Sequence, residues 1–229
     1  NWQQTQQAQA TLRLRHINPG RLQKDWPGDL NGDVEAQVSW AGPLQYWARW
    51  QLKDSQLRQL PIRSEGQLQG QGEVLSLSSV SLRSGQSVVK LDGQLLPSLA
   101  LKADLDSQQL NDLWPDLSGQ AELQADIRGD WRLPQLQAQG RAKDVRLGAL
   151  SLGQGSLNAE VSASGAINAS ASVQDLNVGY QFAEAELQIS GQAGDHQIRI
   201  VADGEHGRGE LQLQGAYDEQ ALSWQGGLQ

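Results

Sequence analysis

The sequence contains no cysteine and no methionine, and phenylalanine occurs only once. Because cysteine is absent, the chain can form neither a disulfide nor a thiolate metal site, and thiols give no information about its redox compartment. No segment approaches the roughly 20 apolar residues that a membrane-spanning helix requires. Residues 1–7 lack the basic and apolar pattern of a signal peptide. The chain also begins and ends within a strand-like pattern, which predicts a fragment whose targeting segments lie outside it.

Positive charge is scarce and scattered. The 229 residues include 18 Lys and Arg against 26 Asp and Glu, which gives a net charge of -8. Binding to a phosphate backbone needs clustered basic residues, so this composition argues against nucleic acid as a partner. Hydrophobic residues make up 38% of the chain, and the mean hydropathy is -0.53. This low value favours a single layer with one apolar face over a globule with a thick core.

Apolar and polar residues alternate along almost the whole chain, as in residues 34–40, 123–128 and 186–190. Side chains of a strand point to opposite faces in turn, so the pattern predicts strands with one apolar and one polar face. Short turns rich in Gly, Asn and Asp predict antiparallel pairing between sequence neighbours. The predicted strands are 8–15, 33–40, 44–53, 66–72, 74–82, 87–95, 98–105, 119–128, 133–143, 147–152, 155–163, 166–174, 176–182, 183–191, 196–202, 209–215 and 221–225.

Two segments interrupt the alternation, and they reveal an internal repeat. Residues 22–27 and 110–115 each predict a short helical turn that ends before a proline, and Asp106-Ser107 is the expected N-cap of the second. The Trp-Pro step at 26–27 recurs at 114–115, and residues 52–60 match 142–150, at an offset of roughly 90 residues. These matches predict one elongated β-groove fragment over residues 1–229. Its repeats cover about 14–104 and 105–229, the second extended by variant strands, without independent globular domains.

Residues that carry catalytic or metal-binding chemistry are not grouped in recognisable motifs. His16, His196 and His206 are mostly far apart and lack metal-ligand spacing, so we expect them in solvent or in turns. Gly70-Gln71-Gly72 and Gly153-Gln154-Gly155 do not lie between a strand and a helix, as a phosphate-binding loop requires. The sequence therefore predicts no enzyme activity, no metal site and no cofactor.

Three of the eight tryptophans flank one predicted hairpin. Trp47 is out of phase with Tyr46, Ala48 and Trp50, so it is expected on the opposite face of its strand. Packing of these rings within the sheet is the favoured interpretation. The alternative places some of them at a lipid headgroup boundary, where amphipathic rings are stable.

The apolar face is the main functional candidate, because leaving it in water would cost roughly 1.5–3 kcal/mol for each large side chain. A second sheet, closure into a barrel, or a curled trough filled by acyl chains could cover it. Its slim aliphatic side chains favour the trough. The candidate lipid-binding residues are Leu12, Leu14, Val34, Val38, Leu68, Leu75, Leu77, Leu99, Leu101, Leu123, Ile127, Leu136, Leu150, Leu152, Leu157, Val161, Ile167, Val173, Leu187, Ile189, Ile198, Ile200, Leu211 and Leu213.

Several segments resemble the bacterial TamB family of the AsmA-like superfamily, which are bridge-like lipid transfer proteins. The resemblance rests on the Trp-Pro steps with the following Leu-Asn/Ser-Gly, and on residues 120–140, 142–147, 211–215 and 222–226. It covers essentially all 229 residues, as an internal slice of a longer chain.

The resemblance implies an all-β fold, in which a long curled antiparallel sheet forms an open groove with a hydrophobic interior and one or two short helices. It implies a non-enzymatic periplasmic conduit that shields phospholipid acyl chains between the inner and outer membranes. The membrane anchor, and contact with a TamA-type outer-membrane barrel protein, would lie outside this fragment. Two alternatives are a chaperone-like scaffold that pairs with outer-membrane protein strands by β-augmentation, and a closed β-solenoid stalk with a dry, packed interior.

Overall fold

A computed structural model describes residues 6–40, 42–132, 134–192, 194–205, 207–218 and 223–228. The chain divides into two compact units, Asn1–Ser107 and Gln108–Gln229. Both are built from antiparallel strands joined by short turns, with a single 3₁₀ turn described in each.

In the first unit, strands that are neighbours in sequence pair with each other antiparallel. Short turns allow no other arrangement, because a crossover to a distant strand needs a long connection. A 3₁₀ turn, Pro19–Arg21, separates the first two strands. The strands are β1 Gln7–Ile17, β2 Gly28–Ser39, β3 Gln45–Leu57, β4 Leu60–Gln71, β5 Val74–Ser84, β6 Ser87–Leu96 and β7 Leu99–Ser107.

The second unit opens with a 3₁₀ turn, Leu110–Asp112, and repeats the same neighbour-to-neighbour pairing. Among the described residues, β1 pairs only with β2 and β15 only with β14, so neither outer strand closes a barrel. The predicted fold class, an open antiparallel all-β sheet, is confirmed. The strands are β8 Leu117–Gly129, β9 Pro134–Leu147, β10 Leu150–Val161, β11 Ala166–Asn177, β12 Gln181–Gln192, β13 Asp195–Gly204, β14 Gly207–Asp218 and β15 Ser223–Leu228.

Some predicted boundaries are wrong. Residues 147–152 and 176–182 are not separate strands, because each contains a hairpin turn between two longer strands. Alternation continues up to these tight turns on both sides, so periodicity alone does not reveal them. Asp106-Ser107 is not a helix N-cap either, since β7 runs through Ser107, whose hydroxyl lies 2.7 Å from that of Ser87. The predicted strand 221–225 lies partly outside the described residues.

An extra residue on β9 bends the second unit. Asp144 has a positive φ of 52°, and the pair Asp144-Val145 lies opposite Gly119 alone on β8. A Cβ on Gly119 would lie 2.6 Å from the Asp144 carbonyl oxygen, and its φ is 106°, so glycine is required there. This two-against-one arrangement is a β-bulge, which bends a strand and increases its twist.

The bulge continues across neighbouring strands. In the row of residues that crosses the sheet at Asp144 and Val145, the register stays constant between β9 and β10, between β10 and β11, and between β11 and β12. The next pairing, β12 with β13, shifts by one residue between Phe182 and Glu184. The extra residue is therefore shared by β9, β10, β11 and β12, so all four strands bend at the same level.

The sequence repeat coincides with bulges in both units. Asp54 and Asp144 follow a lysine in the two matched segments, and their φ angles are 47° and 52°. Each lies at a register shift with the preceding strand. Aspartate tolerates this left-handed conformation better than most residues. The matched segments thus have the same local structure, although the wider repeat organisation stays a prediction.

Replacement of Asp144 tests the bulge. A valine in the left-handed region is strained, so Asp144→Val should lower the free energy of unfolding by about 1–2 kcal/mol, while Asp144→Gly should be tolerated. Chemical denaturation measures both. The control is Gln137→Val at an exposed position of the same strand, which should change stability by less than about 0.5 kcal/mol. Equal effects of the two valine substitutions would contradict the assignment.

Candidate functional site

The strand register of the second unit collects apolar residues on one face. Starting from Leu123, successive partners across the sheet are Gly140, Leu157, Ala171, Leu187, Ile200 and Leu211. Directly opposed residues share a face, so this row belongs to one apolar face. The opposite face is polar, with Gln124 and Gln139 joined by a 2.9 Å hydrogen bond between their amides.

The first unit has the same division. Leu68 pairs with Ala48 and Leu77, and Leu77 pairs with Gly93, whose other partner is Leu101. The register and the alternation within each strand also place on this face the predicted residues Leu12, Leu14, Val34, Val38, Leu75 and Leu99.

In the second unit, Leu150 and Leu152 need the bulge to join the apolar face. Leu152 precedes Gly155 by three residues, which would place it on the other face of a regular strand. Here a Cβ on Gly155 would lie 3.6 Å from Leu152 Cδ1 and 3.9 Å from the Ala142 Cβ, so these groups are on one side. The remaining predicted residues on this face are Ile127, Leu136, Val161, Ile167, Val173, Ile189, Ile198 and Leu213.

These side chains share a face, but most of them are only partly buried. Leu99 is buried, while Leu12, Leu150 and Leu157 are exposed at 58%, 39% and 40%, and the other twenty predicted residues are half-buried. In the described part of the chain, the buried hydrophobic residues are Ile62, Leu99, Leu110 and Val201. A packed interior would bury far more apolar residues in a chain of this size, so the alternative of a dry stalk is contradicted. Whether lipid contacts this face stays a prediction.

Val201 is an apolar residue on the polar face, and it is more buried than most residues of the apolar face. It is 8% exposed and lies in register between Glu186 and Glu210. The Arg199 guanidinium donates a 2.8 Å hydrogen bond to Glu210. That bond, followed by one from the Gln212 amide, lowers the pKa of Glu210 to about 2. Long charged side chains can cover a neighbouring apolar group with their stems, whereas the apolar face has no such cover.

Two aromatic rings of the apolar face were missed by the sequence analysis. Tyr46 and Trp50 on β3 lie over Gly70 and Gly66 on β4, where any Cβ would collide with the ring. The Trp50 Nε1 also donates a 3.1 Å hydrogen bond to Ser64. A sequence signal for this contact was present. The two aromatic residues and the two glycines have the same spacing along the chain, and antiparallel pairing of β3 with β4 brings them together. The aliphatic description of this face is thus incomplete in the first unit.

The expected placement of Trp47 and of the histidines is confirmed in part. Trp47 pairs with Gln37 and Gln69 on the polar face, opposite to Trp50, as predicted. His16 is exposed, with its Nδ1 3.0 Å from a carboxylate oxygen of Asp29.

The prediction for His196 is wrong. It is only 6% exposed, because its partners Gly191 and Gly215 leave room beside it. His206 lies outside the described residues. Within the described ranges, no group of three or more His, Cys, Asp or Glu could hold a metal ion, and no helix is long and apolar enough to span a membrane.

The openness of the apolar face can be tested with two leucines of the second unit. Leu187 is half-buried on the face, whereas Leu110 is 5% exposed. Without lipid, Leu187→Ala should cost about 1 kcal/mol of unfolding free energy, since only part of its surface leaves water. Leu110→Ala should cost about 2–5 kcal/mol, as in a packed core. Urea denaturation compares them, and an equal cost would show that Leu187 is packed.

Two comparisons with known proteins identify the family of this chain. The family model described as TamB, N-terminal domain, matches residues 1–229. The translocation and assembly module subunit TamB of Haemophilus influenzae is 22% identical over 233 residues, and the match covers 99% of this chain but 18% of that protein. The chain thus spans less than a fifth of its curated relative. No solved structure matches. Since the family model covers every residue, the chain belongs to the TamB family.

Proposed function

We propose that this chain is a non-enzymatic segment of a lipid conduit, in which the apolar face of the sheet shields phospholipid acyl chains from water. The observation that carries the proposal is an apolar face in each unit whose side chains mostly remain half-buried, opposite a polar face. Each large apolar residue left in water costs roughly 1.5–3 kcal/mol when fully exposed. Acyl chains are suitable occupants because they are apolar, flexible and need no hydrogen-bonding partners.

The bend of the sheet supports a lining that can curve around a chain-like ligand. The shared bulge of β9–β12 bends four adjacent strands at one level. Apolar residues continue on the same face on both sides of the bulge, as Val145 and Ala142 do on β9. A lipid lying on this face would therefore meet apolar side chains throughout, while its headgroup stays in water.

The cellular setting of the proposal comes from the family. The Haemophilus influenzae relative is named as a subunit of the translocation and assembly module, and the family assignment supports a role for this chain in such a module. We place this segment in the periplasm, in a longer protein anchored in the inner membrane. Phospholipid would pass along it toward the outer membrane, and a TamA-type barrel protein would be contacted by other regions.

Photo-crosslinking in cells tests where lipid lies. A photoreactive residue at Leu123 or Ile127, in the longer protein, should form phospholipid adducts, because both positions lie on the apolar face. The control is Gln124, between them in sequence and on the polar face. Mass spectrometry of the purified adducts should detect lipid at the first two positions. Absence of lipid there, or equal amounts at Gln124, would contradict the proposal.

A charge on the apolar face should block lipid passage more than it disturbs folding. Burial of an unpaired carboxylate among acyl chains is very unfavourable, whereas a half-exposed position lets it reach water in the lipid-free protein. Ile127→Glu should therefore reduce the arrival of labelled phospholipid in the outer-membrane fraction. Gln124→Glu is the matched control and should transport normally. Normal transport by Ile127→Glu at normal protein levels would argue against the conduit.

A chaperone-like scaffold is the second candidate, since an open antiparallel sheet can add a client strand at an edge. Among the described residues, β1 hydrogen-bonds to β2 alone. Thr11 lies in the middle of β1, paired with Glu35. A photoreactive residue at Thr11 that captures an outer-membrane protein, without lipid capture at Ile127, would favour the scaffold over the conduit.

A further inference from the structure

A tryptophan occupies the middle of the polar face in the first unit. Trp47 on β3 pairs with Gln37 on β2 and Gln69 on β4, and its ring is half-buried. On β3, the residues that lie on the apolar face are Tyr46, Ala48 and Trp50. An indole that remains partly exposed among glutamines is not explained by the core of this sheet, because it points away from the apolar side.

The ring contributes to a shallow concavity of about 420 Å³. Most of its lining belongs to the polar side, and Tyr46 and Gly70 of the apolar face also contribute. One row of its lining crosses four strands as Gln37, Trp47, Gln69 and Ser76. The next row contains Ser39, Gln45 and Gln71. Neighbouring strands lie about 4.8 Å apart, so four strands present polar groups over roughly 14 Å. The site is built on paired strands, which hold its groups at fixed spacing.

No charged residue lines this concavity, although 19% of the chain is charged. A site for phosphate, nucleotide or an acidic peptide would need basic groups to offset the charge of the ligand. The lining consists of amides, hydroxyls, two aromatic side chains and one valine, and its amides and hydroxyls can donate and accept hydrogen bonds without carrying charge. The ligand that this chemistry matches is neutral, polar and equipped with an apolar surface.

The amides are available to a ligand. Within the described part of the chain, the side chains of Gln45, Gln69 and Gln71 make no hydrogen bond to other residues. The Gln37 Nε2 donates a 3.3 Å hydrogen bond to the Gln7 amide oxygen. Each free amide offers one acceptor and two donors, so this surface can bond to hydroxyl groups on both sides of the indole.

From this arrangement, we infer that the polar face of the first unit binds a neutral oligosaccharide, with a sugar ring stacked on Trp47. A pyranose ring has an apolar face of C–H groups that can cover an indole, and a rim of hydroxyls that can reach the flanking glutamines. An extended glycan can run across β2–β5 along the row through Gln37, Trp47 and Gln69. Trp47 and the glutamines are on the opposite face from the proposed lipid surface, so the inference does not depend on lipid binding.

Saturation-transfer NMR on the purified chain tests the site, with cellotetraose, chitotetraose and maltotetraose as separate probes. At least one should bind with millimolar affinity and receive saturation at its C–H protons. Trp47→Ala should weaken that binding about tenfold, because it removes the stacking surface. Trp47→Tyr should retain most of it. The matched control, Trp131→Ala, removes a 54% exposed tryptophan from the loop between β8 and β9 and should bind like the parent.

The results separate a glycan site from a structural tryptophan. If circular dichroism shows that Trp47→Ala does not fold, Gln69→Ala is tested in its place. Gln69→Ala should also weaken binding, because this substitution removes one amide. Binding by none of the three probes would overturn the inference. Equal weakening of binding by Trp131→Ala and Trp47→Ala would also overturn it. So would binding that is unchanged in both Trp47→Ala and Gln69→Ala. Lipid capture at Ile127 is measured separately, so failure here leaves the conduit proposal unaffected.

Discussion

The period of two along each strand is the constraint on which the rest of this molecule depends. Because every strand pairs with its sequence neighbour in antiparallel register, a side chain and its cross-strand partner share a face, and the alternation of one strand extends across the sheet. Leu123, Leu157, Leu187 and Leu211 share a row for this reason. The bulges add one residue to a strand without moving its apolar residues off the face, since the sequence changes its phase at the same place. Val173 and Leu176, three residues apart on either side of Asp175, are one example.

The two faces differ in how completely they cover their apolar groups. On the polar face, Val201 is almost fully buried beside long charged side chains. On the apolar face, neighbouring leucines and isoleucines remain half-buried. A soluble protein that kept such a surface in water would lose much of its modest stability. We therefore interpret the apolar face as a surface that requires an apolar occupant, and the proposed phospholipid acyl chains would meet that requirement.

Periodicity predicted the strands, their antiparallel pairing and the membership of the apolar face, because all three follow from local alternation and short turns. It could not separate β9 from β10 or β11 from β12, since alternation continues up to their tight hairpins. The Lys-Asp segments at 53–54 and 143–144 were identifiable as a repeat, but their left-handed backbone depends on the facing strand. Tyr46 and Trp50 required knowledge of which glycines lay opposite. His196 became buried through its glycine partners, which its own sequence neighbourhood does not reveal.

Native mass spectrometry of the chain, purified without detergent and incubated with phospholipid vesicles, tests the central claim most directly. The account predicts bound species heavier than the protein by the mass of one or more phospholipids, with fewer of them in Ile127→Glu than in Gln124→Glu. A chain that remains lipid-free under these conditions while correctly folded would contradict it, because its apolar face would then be stable without any occupant.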